Sequence, residues 1–352
     1  MALSSDGTAP GGLMAAEIAE QPQVLARLLD DGGREVREVA ARIEAAAPRF
    51  VVLAARGTSD HAALYAKYLV ETTLGLPAGL ASPSTLTTYG AKPDFRDVLW
   101  ITVSQSGGSP DLVESTSAAA DAGALTVAVT NAPDSPLAGA AAVHLNILAG
   151  RERAVAATKS YTAQLLALFL LVQAWHGESA DAARQLPELA ETVLTGGAAE
   201  QVAPRYRFVD RLITTGRGYA YPTAREAALK LMETSYLSAH AFSGADLLHG
   251  PLAMIDEDHP VIAIVDQGQG GAALRPVLAR LAERGADVCL VGSQPAGGEG
   301  AAAVLPIPAG VEDRVAPILQ ILPLQQLAHA IAVARRHDPD HPRGLTKITE
   351  TR

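Results

Sequence analysis

Val98-Leu-Trp-Ile-Thr-Val-Ser104 runs directly into Gln105-Ser-Gly-Gly-Ser109 and then Pro110. A short, continuous apolar run closed by turn-forming residues reads as a strand buried on both faces. Pro110 suits the first position of a helix and Ser109 its cap, so a helix is expected over Asp111 to Ala122. Working outward, Arg49 to Ala55 and Leu125 to Thr130 are further buried-strand candidates, and Ser59 to Thr72 carries a helical pattern. Strand, helix, strand, helix, strand is the signature of a parallel sheet with right-handed crossovers.

The pattern recurs about 161 positions later, a spacing too long for a solenoid repeat. Phe208 to Thr215 runs into Gly216-Arg-Gly218, as Val51 to Ala54 runs into Ala55-Arg-Gly57. Val261 to Val265 falls on Trp100 to Ser104, and Asp287 to Gly292 on Leu125 to Thr130. A duplicated α/β domain is expected. Long helices are expected over Ala157 to His176, Ala182 to Thr195 and Val315 to Arg336, with Gly196 to Pro204 as a linker. The division expected is an N-terminal segment (1–33), a first domain (34–195), the linker (196–204), a second domain (205–336) and a tail (337–352).

Composition narrows the function classes. The chain has 352 residues, enough for about two domains. With 48% hydrophobic and 19% charged residues it is expected to be globular. A formal charge of -10 argues against a broad nucleic-acid surface. One cysteine excludes a disulfide framework within the chain and a cysteine-cluster zinc site. Cys289, within Asp287-Val-Cys-Leu-Val291, reads as core filler. No membrane span is expected, since the apolar run around Leu165 to Val172 is too short. The opening Met1 to Gly12 lacks the basic and apolar regions of a signal peptide and reads as a flexible lead-in. A cytoplasmic location is the expectation.

Four stretches carry chemistry. Ser104 to Ser109 brings hydroxyls, an amide and backbone N–H groups to a helix N-terminus, which suits an anion; a plain Ser-capped turn reads the same residues. No Gly-Lys-Ser/Thr follows, so it is not a nucleotide P-loop. Arg56-Gly-Thr-Ser59 is a second hydroxyl-bearing turn at the end of the neighbouring strand, where open parallel sheets bind ligands. The aligned second-half turn, Asp266-Gln-Gly-Gln269, has no hydroxyls. In the helix Arg225 to Tyr236, Glu226, Lys230 and Glu233 share one face. They read either as a surface ion pair worth a few tenths of a kcal/mol or as a carboxylate base steered by a lysine. Leu229, Met232 and Tyr236 share another face, expected to be the core. His249, just before Gly250-Pro251, is expected on a loop and can move protons near neutral pH. The polar tail from His337 reads as a frayed end.

Together these stretches resemble the sugar isomerase (SIS) domain family. Within it they are similar to the isomerase half of glutamine–fructose-6-phosphate aminotransferase and to stand-alone glucosamine-6-phosphate deaminases. The matching pieces are Glu17 to Pro22, Arg56 to Ser59, Ser104 to Gly107, Val155 to Lys159, Gly216 to Gly218, Glu226 to Tyr236, His249 to Pro251 and Leu345 to Lys347. The resemblance implies two tandem SIS domains, each a parallel five-stranded sheet flanked by helices, a phosphosugar ligand and a homodimer. It implies that Thr58, Ser59, Ser104, Gln105, Ser106 and Ser109 hold the sugar phosphate and that Val155 and Ala156 line the sugar. It makes Glu233 the proton shuttle between C1 and C2, supported by Lys230 and Glu226. His249 would open the ring from the partner subunit. Lys347 would lie in a tail folded over the sugar and meet the open-chain carbonyl.

The expected reaction is glucosamine 6-phosphate plus water to fructose 6-phosphate plus ammonia, with no cofactor and no metal. Other phosphosugar isomerisation, an aminotransferase-like reaction, deglycation and a non-catalytic phosphosugar sensor are the alternatives. The sequence opens directly into the Glu17 segment with one internal cysteine, so no glutamine-fed nitrogen transfer is expected. Leu248, Thr346 and Gly108 depart from the family pattern, which has lysine, alanine and commonly an acidic residue there, and suggest a changed sugar or direction.

Overall fold

The computed structural model describes residues 9–293 and 300–347. The expected lead-in falls, up to residue 8, outside the described residues, as does the tail beyond 347. Two compact units emerge, each built on one sheet. Their described parts are 23–152, 159–184 and 346–347 in the first, and 9–22, 153–158, 185–293 and 300–345 in the second.

The first sheet contains β1 (Phe50–Ala54), β2 (Ala78–Leu80), β3 (Val98–Ser104), β4 (Leu125–Thr130) and β5 (Val143–Asn146). Their order is β2-β1-β3-β4-β5, and every pairing is parallel. Leu99, Ile101, Val103, Val127 and Val129 are fully buried or nearly so, which is why β3 and β4 read as unbroken apolar runs. The sheet grows from β1 to β2 on one side and then switches to β3 on the other. Such a switch point opens a crevice at the carboxyl ends of the two strands. The helices Thr58–Leu69 and Pro110–Asp121 begin there, after β1 and β3. The helix Lys159–His176 packs against Gly33–Ala46 and Thr58–Leu69.

The second sheet repeats the design with β6 (Arg211–Gly216), β7 (Ser238–Ser243), β8 (Val261–Ile264), β9 (Val288–Gly292) and β10 (Ala303–Pro306). Its order is β10-β9-β8-β6-β7, again all parallel. Ile213, Val261, Ala263, Leu274, Val277 and Leu290 form the core between β8 and the helix Gln269–Glu283. Cys289 is buried on β9, in agreement with its reading as core filler. Burial pushes its thiol up to about 12.

Three expectations change. The residues expected to link the halves, Gly196 to Pro204, mostly belong to a helix, Ala198–Tyr206. Gly197, at φ 66, ends one helix and starts the next rather than opening a loop. One helix, Ala316–Ala334, is long and apolar enough to cross a membrane, and 78% of its apolar window is buried inside the fold. It packs against the helices Ala220–Ser235, Ala198–Tyr206 and Leu186–Thr195, so its apolarity serves a core. The described part of the tail is not frayed. Asp340 accepts from Leu13 N at 2.9 Å and Met14 N at 2.8 Å, and Asp338 from Gly11 N at 3.0 Å. These carboxylates satisfy the open N–H groups at the start of the helix Gly12–Ala19.

Candidate functional site

In the first unit, two turns follow β1 and β3. After β1, Arg56 places Nε and Nη2 each 2.8 Å from Asp111 Oδ2. Asp111 is buried and Arg56 half exposed, so the carboxylate fixes the guanidinium at the crevice rim. Thr58 is half-buried at the first helical position. Ser59 is buried and accepts from Gln164 Nε2 at 2.9 Å.

After β3, Ser104 Oγ accepts from Gly107 N at 3.1 Å, and Ser106 Oγ from Gly108 N at 3.3 Å. These bonds shape the turn. Gly107 has φ 62, and a Cβ there would lie 2.2 Å from Ser135 Oγ, so only glycine fits. Gln105, Ser106 and Ser109 are half-buried. Ser109 has the extended backbone of a cap, but its hydroxyl makes no bond to the helix, contrary to the capping expected of it. Half-buried hydroxyls beside two helix N-termini favour a phosphate through hydrogen bonds and the helix dipoles.

The tail lysine is in the same unit. Lys347 Nζ lies 2.9 Å from Glu152 Oε2, and Glu152 also accepts from Ser160 N at 3.0 Å and Ser160 Oγ at 2.7 Å. Burial alone would raise the Glu152 pKa; the Lys347 ammonium and the Ser160 bonds outweigh it and hold the carboxyl below its ordinary value. Glu152 went unread in the sequence, because nothing in its neighbours' periodicity marks an isolated buried carboxylate.

In the second unit, the helix Ala220–Ser235 carries the candidate proton chemistry. Lys230 Nζ lies 3.3 Å from Glu226 Oε1 and 2.5 Å from Glu233 Oε2. Glu226 and Lys230 are fully buried, so the surface-pair reading fails. Burial alone would lower the Lys230 pKa, but the two carboxylates hold it above the ordinary lysine value. The expected core face is also corrected. Met232 is exposed and Leu229 and Tyr236 only half-buried, whereas Ala224, Ala227, Ala228 and Leu231 are buried. Small side chains let this helix pack closely against its neighbours, among them Ala316–Ala334, where Ser235 Oγ donates to Ala328 O at 3.2 Å. Glu233 keeps 21% of its side chain exposed, so one carboxylate of the cluster stays reachable while its partners are enclosed.

Val155 and Ala156 follow Arg153 and Ala154, whose N–H groups donate to the buried Glu17 carboxylate. Glu17, within a motif matched in the sequence, thereby fixes the backbone just before them; Val155 is half-buried and Ala156 is buried. His249 is exposed after the short helix Gly244–Leu248, on a loop as expected, and its N–H donates to Asp246 O at 3.0 Å. Its ring makes no hydrogen bond or ion pair with Glu226, Lys230 or Glu233 among the described residues.

These features define a duplicated sugar isomerase fold, and the chain belongs to the SIS domain family, whose model matches residues 46–174 and 206–334. Among its relatives is a glutamine–fructose-6-phosphate aminotransferase (isomerizing) of Pseudomonas putida, 34% identical over 356 residues. That match takes in 95% of this chain and 58% of the relative, so the chain spans well under two thirds of that protein. A solved structure from Silicibacter pomeroyi DSS-3, assigned as a phosphosugar isomerase, is 34% identical with a TM-score of 0.83, over 93% of this chain and 99% of the other. The glucosamine-6-phosphate deaminase of Thermotoga maritima shares the fold at 21% identity, with a TM-score of 0.79 over 96% of this chain and 99% of its own.

Proposed function

We propose that this chain is a phosphosugar deaminase of the aldose–ketose isomerase type, converting glucosamine 6-phosphate and water to fructose 6-phosphate and ammonia. The observation that carries the reading is the buried Glu226–Lys230 pair with Glu233 at its accessible edge. A proton shuttle needs a carboxylate that touches substrate and is held in place by groups that do not. Thr58, Ser59, Ser104, Gln105, Ser106 and Ser109 are the residues proposed to hold the phosphate, with Val155 and Ala156 against the sugar.

In the proposed sequence His249 assists ring opening, acting from the partner subunit of a homodimer. Glu233 takes the C2 proton of the open-chain aldehyde and returns a proton to C1. The product is an imine at C2. Water adds to that carbon and ammonia leaves, giving the ketone. Lys347 exchanges Glu152 for the open-chain carbonyl oxygen. Relatives of this fold include an aminotransferase and a deaminase by name, and the residues named here serve the isomerisation common to both chemistries.

The test is purified protein with glucosamine 6-phosphate, measuring ammonia and fructose 6-phosphate together. Equimolar release of both is expected. Interconversion of phosphosugars without ammonia would replace deamination by plain isomerisation. Ligand-induced stabilisation without any turnover would replace catalysis by sensing.

A further inference from the structure

The second sheet has a pocket of its own, and its chemistry is the reverse of an anion site. It lies at the carboxyl ends of β8 and β9, lined by Asp266, Gln267, Ser293 and Gln320 among apolar neighbours, with no basic side chain in its wall among the described residues. Its interior has room for about one water-sized group.

Asp266 is 6% exposed and Gln320 is 2% exposed. Gln320 Nε2 donates to Asp266 Oδ1 at 2.5 Å. That bond turns the amide oxygen of Gln320 away from the carboxylate. Asp266 Oδ2 and Gln320 Oε1 are then each buried without a hydrogen-bond partner among the described residues. Orphaned buried oxygens of this kind are destabilising unless something meets them. Gln267 Oε1 accepts from Gly310 N at 3.1 Å, and its amide nitrogen makes no hydrogen bond to either orphaned oxygen among the described residues. A second carboxylate, Asp313, accepts from Gly268 N at 3.0 Å and adds negative charge beside the pocket.

We propose that this pocket binds a small monovalent cation, ammonium or potassium, held by Asp266 Oδ2 and Gln320 Oε1. The room inside matches a water-sized ion. The charge excludes phosphate. One lining carboxylate with neutral oxygen donors suits a single positive charge better than a divalent ion, which collects several carboxylates. The inference does not rest on the phosphosugar reading, because its residues are separate from those assigned to sugar and its readout needs no turnover.

The test measures melting temperature at constant ionic strength, replacing tetramethylammonium chloride stepwise by ammonium, potassium or sodium chloride. Tetramethylammonium is too large for the pocket. A saturable rise with ammonium or potassium is expected, as for any ligand that binds only the folded state. Comparing the three salts distinguishes the ions. Asp266→Asn and Gln320→Met should each abolish the rise. Crystals of the unaltered protein soaked in thallium(I) supply a readout independent of those variants, with an anomalous peak expected beside Asp266 Oδ2. Equal melting in every salt, a cation effect that survives both substitutions, or an ordered pocket without a thallium peak would each overturn the proposal.

Discussion

The turn after β3 and the turn after β8 occupy the same place in two copies of one fold, yet they carry opposite chemistry. At the offset of about 161 positions, Ser104, Gln105 and Ser106 correspond to Val265, Asp266 and Gln267, and Ser109 to Gly270. The first turn ends in half-buried hydroxyls beside a helix start. In the second, the Asp313 carboxylate takes the Gly268 N–H, and Asp266 is buried nearby. Burial, with the Asp313 charge adding to it, pushes the Asp266 carboxyl up to about 7, even against the bond from Gln320. The helices that follow β1 and β6 show the converse. Where the second has Glu226, Lys230 and Glu233, the first has Tyr65, Leu69 and, just past its end, Thr72. Duplication supplied two scaffolds, and side-chain divergence left the proposed phosphate groups on one and the proposed proton-transfer groups on the other.

The largest effect that would sharpen this contrast is expected at Glu233. Glu233→Gln should lower ammonia release by about 10²–10⁴-fold, the range for a lost general base. Stabilisation by fructose 6-phosphate should persist. Unchanged turnover would remove the proton chemistry from this helix. Ser106→Asp should place a carboxylate on the first turn, and a carboxylate facing the phosphate should weaken sugar-phosphate binding by roughly 100-fold or more. Calorimetric titration checks this, and unchanged affinity would break the comparison at its base.

Lys347→Ala should cost about 3 kcal/mol near neutral pH, because the buried Glu152 loses its partner charge. The sign with pH follows from Glu152, whose folded pKa lies below the ordinary 4.5. Its stabilisation is complete above that value and is lost as pH falls through the folded pKa. The gap in melting temperature between the two proteins should therefore be full at neutral pH and close in acid. A gap that widens in acid would contradict the assignment. The smallest effect is expected at Cys289, which should resist alkylation in the native protein at mildly alkaline pH. Rapid labelling without unfolding would show that β9 is less enclosed than described.

The fold was legible in the sequence where strands are buried on both faces. β3 and β4 match their expected bounds, and β1, β6, β8 and β9 fall within or one residue beyond theirs. The outer strands were not legible. β2 is three residues long and includes Gly79, β5 and β7 mix histidine and polar groups with apolar ones, and β10 ends at Pro306. The motifs that became candidate site residues were visible as types and spacings, but their environments were not. Leu229 and Met232 suggested a core face by size, whereas the packing selected the alanine face and buried Glu226 and Lys230 with it. Glu152, Asp313 and Asp340 act through partners distant in sequence, and no local pattern announces such pairings.

The most direct measurement is the stoichiometry of fructose 6-phosphate binding by calorimetric titration, run on the unaltered protein, Ser106→Asp and Asp313→Asn. One site per chain, lost in Ser106→Asp and retained in Asp313→Asn, is the predicted result. Two sites per chain, or one that survives Ser106→Asp and disappears in Asp313→Asn, would contradict the assignment of the phosphate groups to the first sheet.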